Sequence, residues 1–397
     1  MTYKELLQLY KSGELDKEQR EKIEKDIEKH EAIGEYLFEN DGISEFSDFD
    51  VQSEGDAQED SDEKRFTRII KKSIRRAFIK LGVAVGVIVL AVVLVTVTAL
   101  PYIVDACYYN PAKIVGEENG IETNQMSLDT AVYTELFTPG YYRTKVIVDR
   151  EGYSNYDIRI MQNFSVNSQF RDVYGTVEKG KMLLYTDGLF KLPVSNAFVA
   201  GDIRNVIGHE GTGAAGSVEK ALERLNELDD TDYYVGYITL DKVMTYDEFV
   251  SWGETQGVTP EWCAVCLSQE SGDFVAQEIV GFMYHSGAYQ MAYDKEKYPY
   301  LNYFDMIETV EDYSEDTISA EVMETHMVSM LRYMAEREEF RDMAGCVISK
   351  HYFEQFARDI EDNGLNIYGF AVVAQKDKLI EISRMENVHY IYTTPLV

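Results

Sequence analysis

The chain has 397 residues, 70 of them acidic and 38 basic, which gives a formal charge of −32. Phosphates demand a basic face, so this balance excludes direct binding of nucleic acid. Four cysteines are too few for a disulfide scaffold.

The charge is uneven. Residues 1–63 carry −14, residues 64–80 carry +8 with no acidic side chain, and the remainder carries −26. Two helices are predicted first. Thr2 and Glu5 have capping-box spacing, and Tyr3, Leu6, Leu7 and Tyr10 fall at i, i+3, i+4 and i+7 before Ser12 and Gly13 end the pattern. Asp16 and Gln19 open the second helix. Its apolar face takes Ile23, Ile27, His30 and Leu37, widened by Ile33 and Tyr36. A helical pair over residues 1–38 buries too little surface to be comfortably stable alone. The stripe Tyr3, Leu6, Leu7, Tyr10, Ile23, Ile27 and Leu37 is therefore expected to be completed by a partner, as an amphipathic helix is in a groove. The alternative is a hairpin that packs on itself or on a bilayer. Residues 39–63 read as an acidic, disordered tether.

Residues 64–80 are a basic juxtamembrane segment, with Lys64, Arg65, Arg68, Lys71, Lys72, Arg75, Arg76 and Lys80. An uncharged, mostly apolar run follows over residues 81–104. As a helix it measures about 36 Å, enough to cross a hydrocarbon layer of about 30 Å with some tilt. Cations are retained on the cytoplasmic side, so a single-pass cell-membrane topology is expected, N-terminus inside and residues 105–397 outside. A cleavable signal does not fit a charged segment of this length ahead of the run. Gly82 and Gly86 form one G-x-x-x-G, a possible homodimer contact between two such helices.

Residues 105–150 are expected to form a membrane-proximal stalk that enters a first strand at 143–149. Residues 151–397 form an outer domain, with strands over 156–160 and 181–185. A helix is predicted at 217–228, with Val218, Ala221, Leu222 and Leu225 on one side, then a strand at 233–240. Thr245 and Glu248 cap a short helix ending near Trp252, and a strand follows at 262–267. A long helix pair is expected near 318–337 and 351–362. A strand at 366–374, a helix at 377–383 and a strand at 388–392 close the chain. The starts Tyr234/Gly236/Tyr237 and Tyr368/Gly369/Phe370 suggest two related strand–helix–strand units. The fold class is α+β: a short N-terminal helical pair, one transmembrane helix and a mixed α+β extracytoplasmic domain. Cys263 and Cys266 share a strand, where positions three apart lie about 10 Å apart and face opposite ways, so they read as unpaired.

No residue is assigned a catalytic, cofactor or metal role, and the chain is not expected to be an enzyme. The six histidines show no metal-ligand spacing with one another. His209-Glu210 lacks the second histidine of a zinc protease, and Gly208, Gly211 and Gly213 lack the Lys-Ser/Thr of a nucleotide loop, so they read as turn residues. The 29 tyrosines suit sheet packing and an extracytoplasmic interaction surface.

Tyr3-Lys-Glu-Leu-Leu-Gln-Leu-Tyr10, with the second helix, resembles the N-terminal segment of membrane anti-sigma factors. In zinc-binding members a His-x3-Cys-x2-Cys motif occupies that helix. Asp26, His30 and Ile33 stand in its place here, so the resemblance implies a zinc-free member without a cofactor. Residues 66–78, 234–267 and 369–391 are similar to the sigma factor regulator family. That resemblance implies that the inner helices sequester a sigma factor from RNA polymerase while the outer domain answers an envelope cue or partner. The alternatives are an envelope scaffold with a passive inner anchor and an outer enzyme with an unrecognised site.

Overall fold

In a computed structural model of the protein, the described residues are 9–13, 15–40, 62–164, 170–185, 197–199, 201–202, 214–268, 274–284, 291–307, 309 and 318–396. They fall into two compact units, Met1–Thr96 and Val97–Val397.

In the first unit, residues 9–12 are helical and Gly13 turns the chain at φ 76°. Helix α1 (Lys17–Asn40) follows, and the Oδ1 of Asp16 accepts the Gln19 N–H at 2.8 Å, so the expected cap is present. Helix α2 is Asp62–Leu94, followed by a π-turn (Val95–Ala99) and α3 (Leu100–Asp105). The stretch Lys71–Asp105, 35 residues, is long and apolar enough to cross a membrane. The π-turn has a local cause. Pro101 lacks an N–H and its ring presses on the carbonyl four residues back, which a wider turn accommodates.

The second unit corrects the expected stalk. Residues 105–150 hold a hairpin of β1 (Ile114–Glu118) and β2 (Ile121–Asn124), helix α4 (Gln125–Phe137) and most of strand β3 (Tyr141–Gly152). Leu128, Val132, Tyr133, Leu136 and Phe137 of α4 are buried in the main core, so this segment is a central pillar. Strand β3 begins a four-stranded antiparallel meander with β4 (Asn155–Phe164), β5 (Phe170–Glu178) and β6 (Lys181–Leu184). The Ser127 hydroxyl accepts the Val146 N–H at 2.9 Å and Asn124 donates to the Val146 carbonyl at 2.7 Å, which fixes α4 against β3.

The larger sheet has six strands. After β7 (Gly201–Asp202) and α5 (Val218–Asn226) come β8 (Tyr233–Thr245), α6 (Tyr246–Gln256), β9 (Trp262–Ser268) and β10 (Phe274–Met283). Helices α7 (Tyr303–Ile307), α8 (Ala320–Ala335), α9 (Glu338–Ala344) and α10 (Lys350–Asn363) precede β11 (Asn366–Gln375), α11 (Lys376–Ile382) and β12 (Val388–Pro395). The strand order is β12-β8-β11-β9-β10-β7, each neighbour antiparallel. Thus β8-α6-β9 and β11-α11-β12 are two interleaved split β-α-β units.

The two units are present, but the aromatic-glycine match is out of register. Thr245 and Gln375 are the N-caps of the equivalent helices α6 and α11. Counting back from those caps aligns Gly236 with Asn366, not with Gly369. The ladders agree, since Thr239 pairs with Tyr390 and Gly369 with Ala264. The glycines also serve different ends. A Cβ on Gly236 would lie 2.6 Å from Leu379 of α11, whereas one on Gly369 would lie 2.6 Å from the Ile238 carbonyl and 2.7 Å from Phe198. Gly369 sits at a bulge that shifts the register to both neighbours.

One face of this sheet, with Ile238, Cys263, Val265, Phe282, Phe370 and Val372, meets the helices. The other carries Tyr237, Trp262, Cys266 and Tyr368 against Phe198 and Tyr142. Cys263 and Cys266 therefore lie on opposite faces as free thiols, and burial pushes both thiol pKa values up.

Candidate functional site

The inner stripe is only partly described. Tyr3, Leu6 and Leu7 lie outside the described residues, and Leu37 is described as helical backbone only. The structure brings Tyr10 against α1. Its hydroxyl donates to Glu24 Oε1 at 2.9 Å, and the Arg20 guanidinium lies 5.8 Å from its ring centre. Ile23 is 4 % exposed and Ile27 half-buried, whereas Ile33, further along α1, is 54 % exposed. The stripe thus divides. Ile23 is buried, and Ile33 offers apolar surface.

Sequence reasoning did not find the polar cluster in the outer unit. Asp129 of α4 is fully buried and accepts three hydrogen bonds, from Tyr109 (2.7 Å), Gln125 (2.9 Å) and Tyr333 of α8 (2.6 Å). Burial raises its pKa to about 6, and the three donors and the Arg337 charge oppose that rise. Burial and the neighbouring carboxylate push both tyrosines well above their ordinary range. Arg337 stacks over the Tyr333 ring at 5.1 Å. An aspartate within the apolar pattern of residues 126–137 was the available signal, but its partners come from distant parts of the chain.

Beside this cluster lies an open cleft of about 620 Å³, lined by Tyr102, Asp105, Tyr109, Lys113, Arg150 and Arg337 among others. The chain leaving α3 is clasped here, since Asp105 Oδ1 accepts the Ser154 N–H at 2.5 Å. Tyr109 follows four residues later and reaches Asp129. The end of the apolar helix is thus bound to the β3–β4 turn through Asp105, and the short chain from there to Tyr109 carries it to α4 and α8 at Asp129. His326 belongs to a second buried set, with Nδ1 2.6 Å from the Tyr300 carbonyl and Nε2 2.8 Å from Glu135. His326 thus ties α8 to Glu135 of α4 and to the backbone at Tyr300. The His209-Glu210 stretch lies outside the described residues.

Residues 225–394 match the model of the sigma factor regulator C-terminal family. The matched residues all lie in the second of the two units. The match begins in the last turn of α5 and ends within β12, so the matched region takes in both split units and all that lies between them. It supports a sigma-factor regulatory role for the chain and, with that role, interaction with a sigma factor. No curated protein and no solved structure matches the chain.

Proposed function

We propose that the protein is a single-pass membrane anti-sigma factor. Its cytoplasmic helices hold a sigma factor away from RNA polymerase, and its outer domain answers an envelope cue or an envelope protein. The observation that carries this reading is the separation, by one 35-residue apolar helix, of a helical hairpin from a sigma factor regulator domain. The eight cations of residues 64–80 support an inside N-terminus. The action is binding, not catalysis, and Gly82 and Gly86 offer the span a route to self-association.

The contact stripe is Tyr3, Leu6, Leu7, Tyr10, Ile23, Ile27 and Leu37, to which the exposed Ile33 adds. Co-purification of a sigma factor with the full chain tests it. The double change Leu6→Asp with Ile27→Asp should abolish capture, and Ile33→Asp should weaken it with the hairpin intact. Undiminished capture by the double variant removes the stripe from the reading. The topology is checked separately: protease added to intact cells stripped of their wall should digest residues 105–397.

A further inference from the structure

The end of α3 is bound to two hairpin tips of the four-stranded sheet. Asp105 accepts the Ser154 N–H in the β3–β4 turn, and the Ser154 carbonyl accepts the Lys179 N–H of the β5–β6 turn at 2.8 Å. Tyr108 lies beside that second turn, since a Cβ on Gly180 would be 4.0 Å from its ring. Around this joint Tyr102 is 70 % exposed, Tyr108 42 % and Tyr153 36 %.

Depth follows from helix geometry. From Leu100 to Asp105 an α-helix rises about 7 Å, comparable with the thickness of one headgroup layer, roughly 5–7 Å. We infer that the two hairpin tips, with Tyr102, Tyr108 and Tyr153, form a surface that rests among the phospholipid headgroups of the outer leaflet. Tyrosine suits that depth because its ring is apolar and its hydroxyl polar. The bilayer thereby fixes the orientation of the outer domain as well as its attachment. This inference rests on the reading of residues 81–104 as a membrane span.

Tryptophan quenching in the full chain tests it. The variants Val87→Trp, Tyr153→Trp and Tyr174→Trp are reconstituted in phosphatidylethanolamine–phosphatidylglycerol bilayers with acyl chains brominated near the headgroup or near the terminus. Emission added over the parent protein is recorded, because Trp252 and Trp262 give a constant background. Trp at 87 should be quenched by deep bromine and at 153 by shallow bromine. At 174, on the outward face of the same sheet, neither should quench. A tryptophan at 153 that behaves as at 174, while 87 is quenched, overturns the surface and leaves the span intact. If 87 also escapes quenching, the span falls and this inference with it.

Discussion

Among the described residues ahead of the apolar helix, Ile23 is the one buried large apolar side chain. The outer unit instead joins α4, α6, α8, α10 and α11 to one face of a six-stranded sheet through a continuous core. The hairpin is held by exposed contacts of Tyr10, to the Glu24 carboxylate and to the Arg20 guanidinium, that contribute little against water. The outer unit contains aromatic contacts such as Phe249 to Phe370 at 5.6 Å, away from solvent. This contrast suits the proposed role, in which the hairpin opens its apolar surface to a partner and the second unit holds its shape without one.

The contrast is tested most severely at the outer core. Phe370 is fully buried, and its ring centre lies 5.6 Å from Phe249 and 5.5 Å from Trp252. Phe370→Ala should cost about 3–5 kcal/mol of outer-domain stability, through lost transfer energy and a residual cavity. Urea unfolding followed by tryptophan fluorescence of the full chain in detergent measures this. Capture of the sigma factor by the inner helices should survive where the outer domain remains folded.

A second test concerns the buried carboxylate. The folded protein keeps the Asp129 proton up to about pH 6, whereas an ordinary aspartate releases it near 3.8. Between those values the folded state binds more protons than the unfolded chain. Stability from this group is therefore full below about pH 3.8 and is lost as pH rises through about 6, by about 3 kcal/mol. Urea midpoints recorded across that range should show this component, and Asp129→Asn should remove it. An unchanged pH dependence in the variant would assign the slope to other groups.

Much of the outer fold was legible because its signals are local. The Thr245 and Glu248 spacing, the one-sided pattern of Val218, Ala221, Leu222 and Leu225 and the apolar stretches of β8, β9 and β11 each announce themselves within a few residues. Helix α4 was equally periodic, with Leu128, Val132, Leu136 and Phe137 on one side, yet its position just after the apolar helix suggested a stalk. What local pattern cannot carry is long-range company. Asp129 meets Tyr109 and Tyr333, and Glu135 meets His326, only because the sheet and α8 close around α4. The repeat was misaligned for a related reason. The bulge at Gly369 is fixed by Phe198 and Ile238 and leaves no mark in an aromatic-glycine string.

Core deletions separate the units at an intermediate scale. Ile23→Ala removes about the same chemical groups as an outer-core change but should cost nearer the lower end of about 2–5 kcal/mol, because its surroundings can collapse. Circular dichroism should register it as lost helicity at the N-terminus. In the sigma-bound complex the loss should be largely restored, because the partner orders what the hairpin cannot. Failure of the partner to restore it would mean that the hairpin is not completed by binding.

The smallest effects are the most discriminating, because the two regions use the same device. Asp16 caps α1 through the Gln19 N–H, and Thr245 caps α6 through a full capping box with Glu248. Replacing either by alanine removes about 1 kcal/mol of local stabilisation. In the outer unit, Thr245→Ala is spread over a cooperative core, so the urea midpoint should move slightly and the folded baseline should not change. In the hairpin, Asp16→Ala draws on a helix that is marginal without its partner, so the same loss should appear directly as reduced helicity and weaker sigma capture. Equal baselines for the two variants would show that the N-terminal helices hold a reserve of stability that Ile23, buried among the described residues, does not explain.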